Sequence, residues 1–150
     1  MPRYDIHVQA LPVQEQRDTF KFMSFGFSPS VGIKGFQMLL NQWVKCLLTP
    51  RNSDPTDLSY GTDFTKIIGS TLPLADARDV SGIAIDECND QIFKIQQADS
   101  TLTASERLAN AEIVDFQTDP TAPGFSVYVE IKNQARERLV LNLPASALTE

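Results

Sequence analysis

Phe125-Ser126-Val127-Tyr128-Val129-Glu130-Ile131-Lys132 alternates apolar and polar residues without a break. After the short polar turn Asn133–Arg136, Leu139, Val140, Leu141 and Leu143 follow, and Pro144 closes the run. A period of two is the signature of a strand with one buried face. Upstream, Ala111 to Gln117 reads as a third strand, separated from the first run by the turn cluster Asp119-Pro120 to Pro123-Gly124. The C-terminal third is therefore expected to be a three-stranded antiparallel meander. Its last strand is at an edge by sequence order, with Arg136, Glu137 and Arg138 at its head. An apolar edge of this kind is either guarded or accepts a strand from another chain.

Ahead of the meander the periodicity changes. Ile33, Phe36, Leu40, Trp43 and Leu47 recur at spacings of three and four, with Ser28-Pro29-Ser30 before them and Pro50 after. Val31, Met38, Leu39, Val44, Cys46 and Leu48 are apolar as well, so only a narrow polar strip remains. A helix apolar over most of its circumference must be covered on more than one side. Two readings stay open: a central helix of a compact bundle, or a helix with its own core on one side and a partner on the other. A short helix is expected from Thr62 to Ile68, with Gly69 closing it, and a second long helix from about Asp76 to Gln97. Ile85, Cys88, Ile92 and Ile95 form its seam. Near the start, Tyr4–Val13 and Thr19–Phe27 read as extended segments of an arm. The expected class is α+β: an N-terminal extended arm (residues 1–29), then a domain (residues 30–150) of two main helices, a short one and the meander.

The chain has 150 residues and a formal net charge of −6, with 42% apolar residues, an ordinary globular composition. No basic excess favours nucleic acid, and no run of about 18 apolar residues favours a membrane span. The charge is uneven: the successive thirds carry +2, −5 and −3. Cys46 and Cys88 each sit in an apolar helical pattern and read as buried free thiols. With one histidine, His7, and no Cys-x-x-Cys pair, neither a metal site nor a cofactor is expected.

Catalytic groupings are weak. His7 lies in the arm, a poor platform for a nucleophile–base pair. A carboxylate pair could draw on Asp86, Glu87, Asp90 or Glu106. Glycosidases need two carboxylates in unlike environments across a cleft. Neighbours on one polar helix face are both solvated, so a hydrated face is the better account. Glu106-Arg107, at the junction of helix and sheet, reads as an ion pair pinning the two, with Arg51 or Arg78 as a further member; the alternative is a plain surface pair.

Leu47-Leu48-Thr49-Pro50-Arg51, and the run on to Tyr60-Gly61-Thr62, resembles the signature of the sheath-initiator baseplate wedge proteins of contractile phage tails. That family, sometimes labelled lysozyme-like, has a related member in the type VI secretion baseplate. Its helix ends in Leu-Leu-Thr, followed by a Gly-containing polar loop and an aromatic-Gly-Ser/Thr step. Here Asn52 stands where the family usually has Gly, Leu58 where Pro is common, and Asp54 where Arg is frequent. Ser105-Glu106-Arg107 occupies the place of the family's Glu-Pro-Arg motif, without the proline. The resemblance covers residues 30–143.

It implies a structural, non-enzymatic role in the virion tail baseplate, assembled in the host cytoplasm. Six copies would surround the tail, with sheath protein, other wedge proteins and tail tube or hub proteins as partners. Thr49, Asn52, Gly61, Glu106 and Arg107 would form the structural motif. Phe125, Val127, Val129, Ile131, Leu139, Val140, Leu141 and Leu143 would belong to strands that pair with the first sheath ring. Phe36, Leu39, Leu40, Trp43 and Leu47 would face the wedge. The competing expectations are a carboxylate-dependent cell-wall hydrolase and a generic adaptor.

Overall fold

The computed structural model describes residues 7–12, 20–26, 35–67, 74–118 and 124–146. Within them the elements run β1 (His7–Pro12), β2 (Phe20–Gly26), α1 (Phe36–Leu48), a 3-10 turn (Phe64–Lys66), α2 (Leu74–Gln97), a second 3-10 turn (Ala104–Glu106), β3 (Leu108–Thr118), β4 (Gly124–Asn133) and β5 (Arg138–Ser146). The class is α+β, with the three C-terminal strands forming the antiparallel meander that their alternation predicts.

The register shows why the alternation works. Val127 lies opposite Leu143, Val129 opposite Leu141 and Ile131 opposite Leu139. All six are buried against the helices, and Phe125 is partly buried on the same face. The helices supply Leu39, Leu40, Trp43, Val44 and Leu47 from α1, and Ala84, Ile85, Cys88 and Ile92 from α2. Each large aliphatic or aromatic side chain fully removed from water contributes roughly 1.5–3 kcal/mol, so this shared layer dominates stability. At the far end of the meander Phe116 and Phe125 stack, with centroids 4.9 Å apart. The opposite face carries Glu130 opposite Val140 and Lys132 opposite Arg138. There Lys132 Nζ lies 2.7 Å from Glu130 and 3.8 Å from Glu112, and Glu130 holds the ammonium pKa above its ordinary value.

The sheet has five strands, ordered β1-β2-β5-β4-β3, which corrects the expectation that the last strand is an edge. The two strands of the arm form an antiparallel hairpin, and β2 then joins β5 in parallel through Phe20–Val140, Lys21–Leu141 and Phe22–Asn142. A parallel neighbour must arrive by a long crossover, so sequence order alone does not reveal it. The β2 register stops at Asn142, and β5 continues through Pro144 to Ser146. Pro144 therefore does not end the strand; it sits where β5 has a neighbour on one side only, the setting in which a strand tolerates proline.

The helices need corrections too. Helix α1 starts at Phe36, with Gly35 at the N-cap at φ 67°, and Ser28–Ser30 lie outside the described residues. Most of its wide apolar arc is absorbed by the chain itself: Leu39, Leu40, Trp43, Val44, Cys46 and Leu47 are buried, while Phe36, Met38 and Leu48 keep partial exposure. This favours the central-helix reading, since buried side chains offer a partner no surface. The expected short helix is a single 3-10 turn. Helix α2 runs through Ser81-Gly82; Ser81 is buried and its hydroxyl donates to the Ala77 carbonyl at 2.7 Å.

Candidate functional site

Two devices built from the residues of the signature hold the elements together, one helix to helix and one helices to sheet. The first is the loop after α1. Thr49 takes the C-cap position, and the chain leaves the helix extended. Asn52 then adopts φ 65°, the left-handed region that asparagine tolerates better than any other non-glycine residue. Asp54 accepts from Thr56 and Asp57 from Ser59, so two local turns satisfy the polar run. The loop closes where Thr62 N–H donates to the Thr49 carbonyl at 2.9 Å and Arg51 N–H donates to the Thr62 carbonyl at 3.2 Å. The buried Thr62 hydroxyl donates to the Leu47 carbonyl at 2.7 Å. Gly61 sits at φ 103°, packed so tightly that a Cβ would collide with the Thr49 carbonyl oxygen.

Helix α2 holds this closure from outside. Gln91 accepts from Gly61 N–H at 2.9 Å and donates to its carbonyl at 2.8 Å, a two-point clamp on the backbone of one residue. Arg51 pairs with Glu87, and the carboxylate beside it holds the guanidinium pKa above its ordinary value. Arg51 is thus a member of the loop clamp rather than of the Glu106-Arg107 element, and Arg78 is exposed on α2. The residues Thr49, Asn52 and Gly61 come together as a closed turn with its ends on α1 and its back on α2.

The second device is the Glu106-Arg107 element, which works differently from the expected ion pair. Among the described residues these two side chains are not paired with each other; each binds backbone. Glu106 accepts from Gly35 N–H at 3.2 Å and from Thr103 N–H at 3.1 Å. It thereby completes a capping box on its own 3-10 turn and also serves the otherwise uncapped start of α1. These donors, Thr103 first, hold its carboxyl below the usual range. Arg107 donates to the carbonyls of Gln96 (2.9 Å), Asp99 (2.7 Å) and Leu102 (3.3 Å), tying down the end of α2 and the link beyond it. One dipeptide therefore joins the beginning of α1, the end of α2 and the head of the sheet.

Several residues that carry this joint escape a reading of the sequence. Gln96 is buried; it accepts from Leu108 N–H at 2.8 Å and donates to the Glu106 carbonyl at 2.8 Å and to Gln42 at 3.1 Å. Asn133 donates to the Ser105 carbonyl at 3.0 Å and accepts from Glu137 N–H at 2.8 Å, closing the β4–β5 turn against the same dipeptide. Asn89 accepts from Trp43 Nε1–H at 2.9 Å and donates to the Ala111 carbonyl at 2.8 Å, bridging α1, α2 and β3 inside the core.

The chain matches no family model, no curated protein and no solved structure. What it can do must be read from its own surfaces. The candidate carboxylates do not converge as a catalytic pair. Asp86 and Asp90 are exposed on α2, Glu87 is engaged with Arg51, and Glu106 is held in its charged form by backbone donors, the reverse of what a general acid requires. Cys46 and Cys88 are both buried and free, and burial pushes the Cys88 thiol pKa up. Among the described residues no group of three or more His, Cys, Asp and Glu is placed to hold a metal ion, and no helix is long and apolar enough to cross a membrane.

The strand edges are the remaining functional feature. The edge strand β3 is interrupted by two register shifts, between Leu108 and Asn110 and between Ile113 and Asp115, with the exposed Val114 at the second. Bulges of this kind blunt an edge against pairing. At the other edge β1 ends in Pro12, which lacks a donor. The outer side of β5 carries no such guard along Val140–Asn142, where β2 lies. Of the residues expected at a strand-pairing surface, Val127, Val129, Ile131, Leu139, Leu141 and Leu143 point into the chain's own core, while Val140 is half-buried on the other face. Strand pairing at β5 would therefore use backbone groups, with Val140 and its outer-face neighbours selecting the register.

Proposed function

We propose that this chain is a structural wedge component of a contractile-tail baseplate, and that it starts sheath assembly by offering the β5 edge for strand addition. The observation that carries the reading is the pairing at that edge. A nine-residue strand takes a neighbour over only three register positions, in the one parallel pairing of an otherwise antiparallel sheet, from a segment at the opposite end of the chain. Main-chain bonds of this kind accept an extended strand from any source that fits the edge. The closed loop at Thr49–Thr62 and the Glu106-Arg107 joint support the same reading: of the residues through which the chain resembles sheath initiators, the first set joins α1 to α2 and the second joins both helices to the head of the sheet, as a template that must hold its edge rigid requires. Six copies around the tail, contacts to other wedge proteins and to tube or hub, and a place in the virion are parts of this proposal.

The test is reconstitution. Tube–baseplate particles assembled without this chain should remain bare of sheath, and adding the purified chain before sheath protein should restore polymerisation from the baseplate end. Sheaths of normal length and attachment on particles lacking the chain would rule the proposal out.

A further inference from the structure

We infer that the β1–β2 hairpin is a self-supplied stand-in for the partner strand: it occupies the β5 edge in the free chain and exchanges for an incoming strand that runs parallel to β5. This rests on the strand-addition reading of β5.

Four observations meet here. The hairpin is a unit in itself, with six paired positions between β1 and β2, from His7–Gly26 to Pro12–Lys21. Its hold on the rest of the sheet is three positions, Phe20–Val140 to Phe22–Asn142. Among the residues whose burial is described, α1, α2, the turn at Phe64–Ile67 and the meander share one contiguous core of their own, from Leu39 to Leu143. Finally, eight residues lie between Gly26 and Gly35, and nine steps along the chain span roughly 30 Å when extended. The hairpin, which also touches α1 through β1, is thus joined to β5 by fewer pairings than its own two strands make with each other.

The occupant also describes its replacement. In register, Phe20, Lys21 and Phe22 lie opposite Val140, Leu141 and Asn142 in turn. The partner strand is accordingly an apolar–basic–apolar segment lying parallel to β5. Covering the edge protects the free chain from edge-to-edge pairing with its own copies until the proper strand arrives. No covalent step is involved; three backbone pairings are given up and at least three are made.

The experiment uses the full chain and a fluorescent peptide with the sequence of Phe20–Gly26. In the Phe22→Cys/Asn142→Cys double variant the two positions are direct neighbours across the strands, about 4.8 Å apart, within the Cα separation that a disulfide spans. Cys46 and Cys88 are buried and do not compete. The reduced variant should bind the peptide, and the oxidised form should bind it about tenfold more weakly or not at all, since apparent affinity scales with the fraction of open edges. Lys21→Pro, which puts proline in a strand with a neighbour on each side, should loosen the docked strand and tighten peptide binding about tenfold over wild type. Equal binding by oxidised and reduced forms overturns the inference, as does absence of binding to both the reduced form and Lys21→Pro. On tube–baseplate particles the oxidised variant should fail to start sheath and reductant should restore it. If the lock blocks the peptide yet sheath grows normally, exchange at β5 stands and its use by the sheath falls.

Discussion

Replacing Gly61 by alanine tests the loop closure at its tightest point. The residue sits at φ 103°, and a non-glycine residue held in a sparsely populated backbone region costs of order 1–3 kcal/mol. The added methyl would also collide with the Thr49 carbonyl oxygen and stand 3.1 Å from the Pro50 carbonyl. Both obstacles are backbone, so the loop must move. Movement breaks the Thr62–Thr49 hydrogen bond and the two-point clamp from Gln91. Three such bonds at about 0.5–1.5 kcal/mol each bring the expected loss to roughly 2.5–7.5 kcal/mol, a large fraction of a typical domain's roughly 5–15 kcal/mol. Urea unfolding followed by Trp43 fluorescence measures it directly. The matched control is Asn52→Gly, which places the residue usual in sheath initiators at a φ of 65° and should change stability by less than about 1 kcal/mol. A Gly61→Ala loss below about 1 kcal/mol would refute the claim that this turn is closed by steric necessity.

Two further outcomes follow from the joints between layers. Asn89→Ala leaves the Trp43 indole N–H and the Ala111 carbonyl without their buried partner and should cost about 2–5 kcal/mol, read from the urea midpoint; near-neutrality would mean that water replaces the amide. Glu106→Gln should lower stability by about 1 kcal/mol at neutral pH through its two backbone contacts. Because the folded-state carboxyl lies below its unfolded value, its contribution is present above about pH 4.5 and is lost as pH falls through the folded-state pKa. Melting temperatures from pH 7 to pH 3 should therefore fall less steeply in the Gln variant, and parallel curves would contradict the assignment.

Periodicity made the layers legible because burial acts on one residue at a time. The alternation from Phe125 to Lys132 and the stripe of Ile85, Cys88 and Ile92 each report a single face. The same stripe misleads one turn further on. Ile95 completes the pattern by composition, yet it is 41% exposed, and its neighbour Gln96 is buried in its place. At 3.6 residues per turn the seam of α2 passes through Ile85, Asn89, Ile92 and Gln96, so the two amides do lie on the apolar face. That position was the available signal that they serve the core rather than solvent. The Glu106-Arg107 joint was legible as a brace but not in its chemistry, since its partners are backbone groups that have no letter in the sequence. The two strands of the arm were legible as extended segments, but their docking on β5 left no local trace, since its register joins Phe20–Phe22 to Val140–Asn142.

That separation sets an order of events during synthesis. Phe20 pairs with Val140, and 140 − 20 gives 120 residues between them. At about 5–20 residues per second, β2 emerges roughly 6–24 s before the strand it will lie beside has been made. For that interval the hairpin has no sheet to join, while helices of local sequence form in about a microsecond. Docking on β5 is the last act of folding, after the meander exists to receive it. The β5 edge is thus made only after its own occupant has been synthesised, so the hairpin is on hand from the moment the edge exists.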